Sequence, residues 1–296
     1  VEHLNKLPVP IVSDNILNAF NQRVDTIINF RNEAHKLSLE ADNYFKQALG
    51  VCDPLDVGES GFIINSSDCL ASKGRRLDAF HHNPAVRLIW QHLAQNGKGF
   101  IRLADAGYSA WLPSRFKRIP AEDGIELLDS SDLLEINPDI TKRIAEVNFG
   151  DSYNGRVKAG WLLLARSGQI YGINGTFTLA TKAHEGKIVS DHIIRISPLK
   201  APCVRTGYIY VALSHPTLGR PLVKALTYGS SVPEIDPVDI ANLNIVRLEV
   251  QQENIIADTI EKAFDLYASA DILEKELAVE ADGIITHYIR GNSVIT

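Results

Sequence analysis

The chain has 296 residues, 45% hydrophobic and 22% charged, with a formal net charge of −6. Such a composition describes a soluble, folded protein with one large core or two smaller ones. No apolar run approaches the roughly 18 residues of a membrane span, and the sequence reads as having no secretory leader.

Three scattered cysteines, Cys52, Cys69 and Cys203, point to reduced thiols in a cytoplasm. They form neither a disulfide framework nor a metal knuckle. The charge is unevenly divided. Residues 71–230 carry 21 Lys and Arg against 13 Asp and Glu, a net of +8; the remainder carries 9 against 23, a net of −14. A basic middle is therefore carried on acidic ends, the pattern of a polyanion-binding module.

In chain order, Val1 to Val12 is an extended lead-in, and Ser13-Asp14 are cap residues. Asn15 to Leu49 follows as a helix that Gly50 ends. Leu17, Phe20, Val24, Ile27, Arg31, Ala34, Ser38, Ala41, Phe45 and Ala48 form a heptad seam along it. Residues 51–74 read as loop with one short strand, Phe62 to Ile64. Pro84 to Gln95 is a helix with Pro in its first turn and Gly97 beyond its end.

Short strands are expected at Phe100 to Leu103 and Gly124 to Leu128, flanking Ser114-Arg115-Phe116-Lys117-Arg118. Ser130-Ser131-Asp132 caps a turn, and Asn137-Pro138-Asp139 marks a loop. Gly160 to Gly168 is a buried strand that runs into a tight turn. Gln169 to Asn174 and Phe177 to Thr181 suggest a hairpin with Asn174-Gly175 at its bend. Ile188 to Ile196 is a further strand, and Tyr208 to Ser214 is a short apolar helix or strand.

The last long helix spans Glu253 to Tyr288. Ile256, Ile260, Ala263, Tyr267, Ala270, Glu274, Leu277, Ala281, Ile284 and Tyr288 keep the heptad spacing over roughly five heptads, broken by Glu274. Its 36 residues make a rod of roughly 54 Å. The first helix repeats this pattern: Glu40-Ala41-Asp42 recurs as Glu280-Ala281-Asp282, and Lys6-Leu7-Pro8-Val9-Pro10 resembles Asn242-Leu243-Asn244-Ile245-Val246. A lone heptad helix leaves an apolar stripe exposed, so the two are expected to pack together. The expected fold is α+β: one mixed α/β domain flanked by two long helices paired as an antiparallel coiled coil. Its parts are residues 1–52 (lead-in and first helix), 53–238 (the mixed domain) and 239–296 (second helical segment).

Four local motifs carry a resemblance. They are Arg76-Leu77-Asp78-Ala79 with Asn83-Pro84; Leu162 to Gly168, ending Ala-Arg-Ser-Gly; Ser190-Asp191-His192-Ile193-Ile194-Arg195-Ile196; and Tyr228-Gly229-Ser230-Ser231-Val232-Pro233-Glu234-Ile235. In this order, with a long helix on each side, they resemble the target recognition domain of specificity subunits of type I restriction–modification systems. The resemblance covers the whole chain and implies a non-catalytic DNA-reading subunit without cofactors. Its implied partners are double-stranded DNA, a DNA methyltransferase (modification) subunit and a restriction subunit. Such a subunit has two recognition domains and this chain shows one. It therefore looks like half a subunit, one that reads half a bipartite site and is able to pair with a second copy.

Among the basic residues, Ser114, Arg115, Lys117 and Arg118 are candidates for DNA contact, and Lys142, Arg143 and Lys182 for phosphate contact. Arg166 and Ser167 sit in a tight turn, where the guanidinium either meets guanine or pairs with a carboxylate. Ile28, Leu37 and Tyr44 on the first helix, with Phe264, Leu266 and Ile285 on the second, flank the seams and are candidate partner-binding residues. Asp78, His81 and His82 offer a carboxylate near two imidazoles, but adjacent histidines point apart in regular structure, which favours a structural motif over a metal or acid–base site. No Gly-rich phosphate loop or G-x-S-x-G is present. Two other readings remain: a coiled-coil scaffold with a protein-binding domain, and the recognition part of a fused restriction–methylation enzyme.

Overall fold

The structure, a computed structural model, describes residues 12–52, 61–71, 75–79, 81–113, 115–146, 155–169, 172–229 and 231–290. The lead-in at 1–11 and Ser114 lie outside them.

Two long helices frame the chain, α1 (Asp14–Leu49) and α7 (Val250–Ile289). They run antiparallel: Arg23 meets Glu280 at 2.5 Å, and Arg31 meets Glu274 at 2.5 Å and Asp271 at 3.3 Å. Ala34, Ala41, Ala263 and Ala270 are fully buried, and such small side chains let the helices approach closely. Arg31 and Glu274 are the charged interruptions of the two heptad seams, and the fold places them opposite each other. A polar pair at such a position fixes register, since sliding either helix by a turn strands a charge against apolar side chains.

The expected seam holds only in part. Leu17 and Val24 are exposed, because among the described residues α1 packs only on α7 at that end. Nearer the domain, α1 turns Leu37, Ala41, Phe45 and Leu49 into the main core, an i, i+4 progression that replaces Ser38 and Ala48 of the heptad. Leu37 is 8% exposed and offers no surface to a partner, which corrects its assignment as a partner-binding residue. Ser13 occupies the N-cap position of α1 without a side-chain capping bond.

Between the long helices come α2 (Ser66–Ala71) and α3 (Pro84–Asn96). The segment around α2 corrects the expected strand at 62–64, which pairs with no strand among the described residues. Asn83 caps α3 by accepting from the Ala85 amide. Strands β1 (Phe100–Arg102), β2 (Tyr108–Trp111), β3 (Pro120–Leu128), β4 (Arg143–Ile144), β5 (Leu162–Ala165), β6 (Phe177–Leu179), β7 (Ile188–Val189) and β8 (Ile193–Pro198) follow. Three helices, α4 (Thr206–Ser214), α5 (Arg220–Lys224) and α6 (Pro237–Ala241), lead to β9 (Asn244–Val246).

The main sheet has the order β2-β8-β5-β6, all antiparallel. A smaller sheet, β4-β3-β7, pairs β3 antiparallel to β4 and parallel to β7, and β1 pairs with β9. All of β5 is buried on both faces, with Leu162 and Leu164 in the main core and Leu163 in a second cluster with Leu128, Val189 and Ile193. The hairpin joins β5 to β6; the expected strand at 169–174 is a turn at residues 172–175, closed by the Gly175 amide on the Ala165 carbonyl at 3.0 Å.

Helix α4 seats the domain on the stalk. Phe45 packs against Tyr208 and His215 with ring centroids at 6.1 and 5.5 Å, and Tyr210 meets Phe264 edge-on at 5.0 Å. A polar cavity of about 200 Å³ remains at this joint, lined by Asp42, Tyr210, Ser214 and Arg220 among others. Burial pushes the Asp42 carboxyl up to about 6. The folded form thus binds a proton more tightly than the unfolded chain, so the contribution is favourable below pH 3.8 and is lost as pH rises through 6. Asp42→Asn is therefore expected to stabilise the protein by about 1–2 kcal/mol at pH 8, after discount for solvent screening, and by nothing at pH 4. Urea titrations of both proteins at the two pH values check this; equal gains at both would remove the ionised carboxylate as the cause.

Candidate nucleic-acid interface

The smaller sheet gathers cations from separate parts of the sequence. Arg118 approaches from the segment before β3, Lys142 from the segment just before β4, and Arg143 on β4 itself; the three line one open groove with Pro120, Thr141 and Ile144. The pleat accounts for part of this. Arg143 stands directly across from Glu126 in the β3–β4 register and pairs with it at 3.3 Å.

Each cation is held by a carboxylate. Asp129 bridges Lys142 and, at 3.9 Å, Arg118, and Arg118 also meets Asp191 at 2.5 Å. Hydrogen bonding to Asp129 raises the Lys142 pKa. Burial works against ionisation of Asp191, yet its backbone hydrogen bond and Arg118 together hold its carboxyl below the usual range. Glu126 behaves alike: burial opposes ionisation, but bonds from Lys275 and Lys187 keep its pKa depressed. The cations are thus pre-positioned at the edge of a rigid sheet, in a form that phosphate oxygens can recruit.

Arg115 and Lys117 are exposed on the approach to the groove. Lys182 opens a one-turn 3-10 helix that packs on α7 and is not part of the groove wall. Arg166 takes the carboxylate option: it meets Glu234 at 2.5 Å and donates to the Ile235 carbonyl at 3.2 Å. Ser167 is buried, with Oγ 2.9 Å from His192 Nδ1. These two residues therefore hold the β5 turn to neighbouring loops, and the structure does not bring them to the groove as free donors.

The other motifs are staples too. Arg76 grips Asp78 with two bonds at 2.7 and 2.8 Å and donates to the Leu226 and Thr227 carbonyls. The Asp78 carboxylate accepts the His81 amide, and His82 Nε2 lies 2.7 Å from the Arg76 carbonyl. Fully buried Asn174 donates to the Arg166 and Pro233 carbonyls and accepts from Thr227 at 3.0 Å.

The sequence reading missed Asp129, Asp191, Glu126, His192 and Arg195. Only the last lay in a pattern that flags it, an Arg at an inward position of a strand otherwise apolar there. Arg195 is fully buried, beside the Trp111 ring at 5.7 Å, and burial pulls its pKa down to about 9.

No protein-family model matches this chain, and no curated protein does either. Among solved structures, the chain is similar to the type I restriction–modification system S subunit from M. genitalium, at 13% identity and a TM-score of 0.48, over 92% of this chain and 57% of that one. It is also similar to the HsdS subunit from Thermoanaerobacter tengcongensis, at 11% identity and a TM-score of 0.38, over 94% and 57%. A third likeness is to a chain from a study of complex assembly and conformational transition of the type I R-M system, at 12% identity and a TM-score of 0.39, over 97% and 66%. The chain thus spans less than two thirds of the length of each.

Proposed function

We propose that this chain is a DNA sequence-recognition module of a type I restriction–modification specificity subunit, reading one half of a bipartite site. The observation that carries this reading is the groove, where Arg118, Lys142 and Arg143 converge on one edge of a sheet mounted on a stiff helical pair. Their role is to neutralise phosphates and set the register of the domain along the duplex. The helical pair supplies the fixed separation that two readers of a bipartite site need. The module carries no catalytic step of its own and takes no cofactor; methylation and cleavage belong to a methyltransferase subunit and a restriction subunit.

Exposed Ile28, Tyr44 and Ile285 leave apolar surface on the stalk, while Phe264 and Leu266 lie half-buried against the core. That surface supports docking of the methyltransferase or of a second copy.

Replacing Arg118, Lys142 and Arg143 together by Gln is expected to weaken binding of a random-sequence duplex. It should also lower the slope of log affinity against log salt by about 2–3. Fluorescence anisotropy over a salt series measures both. An unchanged slope would remove the groove from the interface.

A further inference from the structure

The cations of the groove are suited to phosphates, which carry no sequence information, so a reader of sequence needs a further element aimed at base edges. The turn at residues 190–192 borders the groove and is braced from three sides. From within, Arg195 donates through Nη1 to the Ser190 and Ile193 carbonyls at 3.0 and 2.7 Å, and through Nη2 to the Val189 carbonyl. A guanidinium buried on carbonyl oxygens instead of a carboxylate is a costly way to hold three backbone carbonyls. From the β5 side, the Arg166 amide donates to the His192 carbonyl at 2.9 Å, and Ser167 Oγ fixes the imidazole at Nδ1. On the groove side, Asp191 holds Arg118.

Within this rigid frame His192 remains exposed. Among the described residues its ring is restrained through Nδ1, by Ser167, which leaves Nε2 to make a polar contact. Fixed backbone, fixed ring and one outward nitrogen are what direct readout requires, since a loosely held side chain loses its discrimination to entropy.

We propose that the 190–192 turn is the base-reading element of this domain, with His192 contacting a base edge of duplex DNA and Ser167 and Arg195 acting as positioning residues. This rests on the DNA-recognition reading above. An imidazole nitrogen serves as a single donor or acceptor to a base edge, so it discriminates at one base pair.

Selection of duplexes from a randomised pool by the full chain at low salt tests the proposal, with His192→Ala and Ser167→Ala run beside the wild type. The wild type is expected to enrich a motif. His192→Ala should enrich the same motif with preference at one base pair reduced about tenfold. Ser167→Ala, which removes only a hydroxyl, should weaken that same position and no other. An unaltered motif from His192→Ala, a loss spread over every position, or a wild type that binds duplex yet enriches nothing would each overturn the proposal. A wild type that binds no duplex would instead overturn the DNA-recognition reading, and this proposal with it.

Discussion

Phe45→Ala is expected to lower the free energy of unfolding by about 3–5 kcal/mol. The ring is fully buried where the first long helix meets α4, against Tyr208 and His215. Its surroundings resist collapse. Ala41 lies one turn back on the same helix, and the Tyr208 hydroxyl is tied to the Val246 carbonyl at 2.6 Å, so no neighbour is free to fill the space. Denaturant titration by circular dichroism measures the loss. Tyr44→Ala, an exposed change one residue away, should stay within about 0.5 kcal/mol. A loss below about 1 kcal/mol for Phe45→Ala would mean that this joint repacks.

Arg195→Met is expected to cost about 2–4 kcal/mol, because the Val189, Ser190 and Ile193 carbonyls all lose a donor. The change also relieves the burial of a charge, which sets the upper limit. The signature is local: amide exchange should quicken across residues 190–193 well before the rest of the sheet. An unchanged urea midpoint together with unchanged exchange would show that the backbone alone holds this turn.

Much of the frame was legible before any coordinates. Apolar residues at heptad spacing gave Asn15–Leu49 and Glu253–Tyr288 against the observed Asp14–Leu49 and Val250–Ile289, and their pairing followed from stripes that no lone helix can bury. Asn83-Pro84 marked the start of α3 through local capping chemistry. The strand expected over 188–196 breaks in two at a turn that the Ile193 amide closes on the Ser190 carbonyl at 3.2 Å and that Arg195 braces, and no hydropathy pattern records a side chain that bonds its own strand.

β2 was missed as a four-residue strand whose partner, β8, lies more than eighty residues away. The candidate site was less legible than the fold. Arg118, Lys142 and Arg143 were named as cations, but which cations share a groove depends on strand register. Arg166 shows the limit: whether it meets DNA or a carboxylate is decided by Glu234, 68 residues on.

Polar side chains tie the domain to the second long helix at two well-separated levels, besides the apolar packing of α4. Near α4, the Gly207 amide and Arg205 are bound to Glu261; farther along, Lys275 reaches Glu126 of β3, and Asn137 reaches Glu274. Glu261 and Lys275 stand fourteen residues apart on one helix, about 21 Å. A body fixed at one point swivels, whereas a body fixed at two points that far apart resists rotation with a lever arm equal to their spacing. Torque applied at the groove would therefore not be dissipated by rotation of the domain about either point. It would pass instead into the helical pair as flexure.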